Sequence, residues 1–87
     1  MWRLNDVDQA NEMRSKLLSM SGNVPSLESI EVGINQSDSP AAFDIVFVGT
    51  FQNWAKLREF EADPFHKDVA VWVSNAKEIR HVVDFEI

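Results

Sequence analysis

An α+β fold is what this sequence predicts, on three observations: stretches with apolar residues at helical spacing, stretches that alternate between apolar and polar residues, and an order in which the two kinds interleave. Eighty-seven residues give room for one domain and one core. Apolar residues make up 45% and charged residues 25%, an ordinary globular composition, and three glycines with three prolines exclude collagen-like or linker-like sequence. There is no cysteine, so disulfides and thiolate zinc sites are excluded and the small core has no covalent staple.

The opening Met1-Trp2-Arg3-Leu4 reads as the end of a strand. Val7, Ala10, Met13, Leu17 and Met20 then recur every three or four residues, which places them on one stripe of a helix. Asp6 and Gln9 have the spacing of a capping box, and Gly22 suits the left-handed conformation that ends a helix. From Leu27 to Ile34 the pattern changes to strict alternation, with Ile30, Val32 and Ile34 on one face of a strand and Ser29, Glu31 and Gly33 on the other. Asn35 to Pro40 is rich in turn formers.

The next strand, Phe43 to Phe51, differs because Phe43, Ile45, Phe47 and Phe51 occupy one face while Val46 and Val48 occupy the other, so both faces need cover. Asn53 caps a helix reaching Ala62, with Trp54, Leu57 and Phe60 inward. Asp63-Pro64 breaks that helix and starts another, since Asp is a good N-cap and proline is favoured at the first helical position. Phe65, Val69, Trp72, Val73 and Ala76 carry its apolar stripe to about Asn75. The tail Ile79 to Ile87 alternates again, with Ile79, Val83, Phe85 and Ile87 on one side, and is expected as the last strand.

Strand, helix, strand, strand, helix, strand is the ferredoxin-like βαββαβ pattern, a four-stranded antiparallel sheet formed here by residues 1–87 as a single domain. The first strand is central in that arrangement and four residues are short for it, so the expectation is that the strand is truncated and that further residues precede Met1. Two helical segments shield only one face of such a sheet. Several hundred Å² of exposed apolar sheet would forfeit several kcal/mol at ~25 cal/mol per Å². A homodimer with face-to-face sheets is therefore expected, with Val46, Val48, Val83 and Phe85 at the interface.

Fourteen acidic against eight basic residues give a net charge of −6, which repels phosphate backbones and anionic membranes, so neither nucleic acid nor membrane is an expected partner. No apolar run approaches the length of a transmembrane helix and the first residues lack the apolar core of a leader, in keeping with a cytoplasmic location.

Four segments together carry a family resemblance: Ser29-Ile30-Glu31-Val32-Gly33, Phe43-Asp44-Ile45-Val46 closing at Thr50-Phe51, Phe60-Glu61-Ala62-Asp63-Pro64-Phe65-His66, and Val82-Val83-Asp84-Phe85-Glu86. On these the chain resembles the stress-responsive α/β-barrel, or Dabb, family. The resemblance implies a homodimeric barrel, similar in fold to cofactor-free monooxygenases, with no cofactor. The family includes plant stress proteins and a plant polyketide cyclase in which a histidine of a His-Pro-x-His segment is the general base, helped by a tyrosine six residues earlier. The corresponding segment here is Asp63-Pro64-Phe65-His66, so the second histidine is present as His66, the first is Asp63, and the tyrosine position holds Phe60.

His66 falls at the third position of the helix begun by Pro64, where the helix dipole disfavours imidazolium, and a neutral ring is what a general base for enolisation needs. The alternative is that it caps the helix or packs on Phe65. Trp2, Phe47, Phe60, Phe65 and Trp72 are the candidate lining of a pocket for a small apolar or polyketide-like ligand, or else simply core. His81 reads as a hydrogen-bonded structural residue. Asp6, Asp8 and Glu12 read as a helix start and its solvated face, and no spacing suggests a metal site. No phosphate loop, nucleophile elbow or paired-carboxylate pattern is visible. Three functional readings result: a dimeric ligand-binding protein of undetermined activity, a cofactor-independent cyclase or monooxygenase-type enzyme using His66, and a purely structural stress protein.

Overall fold

The computed structural model describes all residues from Met1 to Ile87. Its elements are β1 (Trp2–Leu4), α1 (Ala10–Leu18), β2 (Ser29–Ile34), β3 (Ile45–Thr50), α2 (Trp54–Ala62), α3 (Pro64–Ala76) and β4 (Lys77–Arg80). The strands form one antiparallel sheet in the order β2-β3-β1-β4. This is the α+β topology expected from the element order, with β1 in the middle.

Strand alternation divides the sheet into two unlike faces. Val32 pairs with Phe47 and Ile34 with Ile45, and Ile45 in turn pairs with Trp2, so these side chains share the face covered by helices. The core lies there. Met13, Met20, Val24 and Ile45 are completely enclosed, with Leu4, Leu17, Phe60, Val69 and Val73 around them. On the other face stand Val46 and Val48, 37% and 47% exposed, with no helix above them.

Caps and anchors set the element boundaries. Asn53 Oδ1 accepts from Lys56 N at 2.9 Å and starts α2. The Asp63 carboxylate starts α3 by accepting from Phe65 N at 2.8 Å and His66 N at 3.4 Å, with Pro64 at the first position as expected. Gly22 adopts φ +79°, closing the turns that follow α1. Asp44 ties β3 to the central strand: its N–H donates to Trp2 O at 3.0 Å while its Oδ2 accepts from Leu4 N at 2.8 Å.

Four expectations are corrected. The first helix does not begin at Val7: Val7–Gln9 is a 3₁₀ turn, Val7 is exposed, and the α-helix starts at Ala10. Asp6 caps that turn through Asp8 N, whereas the Gln9 side chain makes no capping bond. Trp54 faces outward and donates its indole N–H to Glu86, because the first helical position lies off the stripe that Phe60 buries. The last strand occupies Lys77–Arg80 rather than Ile79–Ile87. Arg80 pairs with Trp2 of β1, and just beyond that pair His81 and Met1 exchange backbone hydrogen bonds at 2.9 Å. Residues 82–87 continue, exposed, without a ladder partner.

Candidate functional site

On the helix-covered side, the break between α2 and α3 brings four rings together. Phe60, in the last turn of α2, lies 5.1 Å from Phe51 and 6.2 Å from Phe47, centroid to centroid. The His66 ring, in the first turn of α3, is 4.1 Å from Phe60. This closeness follows from the sequence: Asp63 ends one helix and caps the next, folding the chain so that the rings of two residues six apart meet at a tilt.

Burial lowers the His66 pKa from its ordinary 6.5, because the charged ring would lose its hydration. The Glu61 backbone, Asp63 and the Glu61 carboxylate pull the other way, and Arg80 adds to the lowering. The result is a neutral imidazole near neutral pH. Its Nδ1 is buried without a hydrogen-bond partner, as is the indole nitrogen of Trp2. In an apolar core two such atoms leave hydrogen-bonding capacity unused.

The residues predicted to surround a ligand belong to the hydrophobic core or pack against it. Trp2 and Phe60 are buried, and Phe47, Phe65 and Trp72 are partly buried against the same cluster. Of the residues predicted for the interface, Val46 and Val48 lie on the uncovered face, and Val83 and Phe85 lie in the exposed tail. Two surface concavities lie elsewhere. One, about 330 Å³, is lined by Pro25, Ser26, Glu28, Gln52 and Lys56. The other, about 440 Å³, lies on the uncovered face beside His81, Phe43 and Val46. Sequence reading did not single out the second, since it is assembled across strands by register rather than by a local motif.

No group of three or more potential metal ligands occurs, and no helix is long and apolar enough to cross a membrane. An antiparallel β2-β3-β1-β4 sheet with helices on one side and a bare apolar face on the other defines a ferredoxin-like α+β protein. The chain belongs to the stress responsive A/B barrel domain (Dabb) family, whose model matches residues 1–87.

Solved structures agree on the fold. A dimeric ferredoxin-like protein of unknown function from Thermobifida fusca YX aligns with TM-score 0.87 at 19% identity, covering 100% of this chain and 85% of its own. A dimeric protein of unknown function with a ferredoxin-like fold from Bacteroides fragilis NCTC 9343 gives 0.85 at 20% identity, covering 99% and 89%. A third, also described as dimeric and ferredoxin-like, from Jannaschia sp. CCS1, gives 0.75 at 21% identity over 100% and 93%. No curated protein sequence matches the chain.

Proposed function

We propose that the protein is a homodimer whose two sheets meet across the Val46 and Val48 face to close a barrel. Each protomer then binds a small, mainly apolar ligand between its sheet and α2/α3, beside His66. The observation that carries the assembly is the apolar side of β3 left without cover in the single chain. The dimeric descriptions of the three similar structures support it. Light scattering tests it: a mass of two chains is expected, and a mass of one chain persisting at high micromolar concentration rejects it.

The ligand reading rests on two unpartnered buried nitrogens, Nδ1 of His66 against the Phe60 ring and the indole nitrogen of Trp2. A ligand with one or two polar groups on a hydrophobic body complements them. The same neutral imidazole favours a second reading, cofactor-independent proton abstraction from an enolisable carbon by His66, as in a polyketide cyclase or a related monooxygenase-type enzyme. Phe60 stands against the ring without a hydroxyl to orient it. The enzyme reading predicts turnover of a linear poly-β-keto substrate that His66→Ala abolishes; turnover that survives the substitution removes it.

A further inference from the structure

The uncovered face carries a row of residues crossing all four strands. Gly33 of β2 pairs with Val46 of β3, and Trp2 pairs with both Ile45 and Arg80, so that Met1 comes opposite Val46 and His81. Glycine leaves a dip in this row: a Cβ at Gly33 would stand 3.2 Å from Val46 Cγ1. The chain entering β3 through Ala41, Ala42 and Phe43 rises beside the dip, and the cleft between them measures about 440 Å³. That is within the ~300–1,000 Å³ of small-molecule sites, and its walls are mainly apolar, as such sites are.

Two nitrogen-bearing side chains gather around the Phe43 ring, His81 from the lining of the cleft and Arg3 from beside it. The Arg3 guanidinium carbon lies 5.0 Å from the Phe43 centroid, and the His81 ring lies 5.2 Å from it. Arg3 is paired with no carboxylate, since the one salt bridge of the molecule joins Lys56 and Glu59. The neighbouring Asp44 carboxylate is already engaged by Leu4 N. In a chain of net charge −6, an unpaired guanidinium lying over Phe43, one wall of the apolar cleft, is a local reversal of sign.

We propose that this cleft binds a small monocarboxylate with an apolar body, its hydrocarbon or aromatic part against Phe43, Val46 and the Gly33 dip and its carboxylate taken by Arg3 and His81. A guanidinium offers paired donors that match a carboxylate. The cleft is on the opposite side of the sheet from His66, so it is a separate site. In a face-to-face dimer its occupant lies between the protomers.

Phenylacetate is the probe, with phenethyl alcohol as its neutral counterpart, followed by NMR titration of the backbone amides. The expected result is saturable shifts at Gly33, Val46 and His81 with phenylacetate. Affinity for the alcohol, and that of Arg3→Gln for phenylacetate, should each be lower by roughly tenfold, as loss of one charge-assisted contact implies. Gly33→Val, which fills the dip, should abolish the shifts, and Arg3→Gln, an outward change with no ion pair to lose, keeps the test independent of how well that variant folds. Equal affinity for acid and alcohol, unchanged affinity in Arg3→Gln, shifts confined to residues around His66, or no saturable shifts would each overturn the proposal.

Discussion

Replacing Val48 with glutamate puts a number on the barrel dimer. Val48 is 47% exposed and Val46 37%, so together they leave bare most of the area of one valine side chain. Full burial of such a side chain contributes about 1.5–3 kcal/mol, so enclosing these two residues in both protomers supplies roughly 4 kcal/mol, or about three decades in dissociation constant. Val48→Glu removes half of that and places a carboxylate from each copy in a dehydrated contact, which costs several kcal/mol more. The dissociation constant should rise by at least about a thousandfold. The isolated fold should lose only about 1 kcal/mol, because the side chain is half exposed within its own protomer. Val71→Glu is the control, since Val71 is 63% exposed on the helical layer, away from the sheet. Sedimentation velocity across a concentration series separates the cases: wild type and Val71→Glu should sediment as two chains and Val48→Glu as one. A Val48→Glu protein that remains dimeric with unchanged affinity would refute the claim that this face forms the interface.

Other consequences are testable on stability. Since burial holds the His66 pKa below its ordinary value, the unfolded chain binds more protons than the folded one on acidification below about 6.5. The His66 contribution is fully present above that pH and declines as pH falls through the folded-state value. Urea titrations over this range should show a shallower acid decline in His66→Asn than in wild type; identical slopes would contradict it. Phe60→Ala removes the ring that contacts Phe47, Phe51 and His66, and should cost roughly 3–5 kcal/mol by denaturant unfolding. Asp44→Ala leaves Leu4 N without its acceptor and should cost about 1–3 kcal/mol with faster amide exchange at Leu4, whereas Asp44→Asn, keeping an acceptor oxygen, should lose less. Gly22→Ala, at φ +79°, should destabilise by about 1 kcal/mol although the space around it is open.

The elements most legible in the sequence are those whose local chemistry and burial agree. Asp63-Pro64 specifies a helix start by itself, and the structure places it as the cap of α3. The alternation in β2 and β3 correctly separates Ile45 from Val46 and Val48, because period two is intrinsic to the strand. Errors arise where the outcome depends on a neighbour. The tail alternates well enough for a strand, yet a strand needs an adjacent ladder, and in the structure β4 pairs with β1 over Lys77–Arg80 alone. Val7 and Trp54 fit helical stripes by spacing but fall in the first turn, where the helix has not yet reached the core. The contact of Phe60 with His66 follows from a helix break legible in the sequence, whereas the meeting of Arg3, Phe43 and His81 required the register of three chain segments.

A strand that is greasy on both sides has little thermodynamic reason to prefer one phase over the other, since a slide of one residue merely exchanges Ile45 and Phe47 for Val46 and Val48. Asp44 supplies the missing preference by gripping β1 through both its amide and its carboxylate. Gly49 adds to it, for a Cβ there would come within 2.8 Å of the Phe47 ring. Losing one residue from the Ser37–Ala41 connection spares this clasp. Losing one between Asp44 and Phe47 turns the strand inside out while leaving its hydrophobic content almost intact, a lesion that composition alone would never betray.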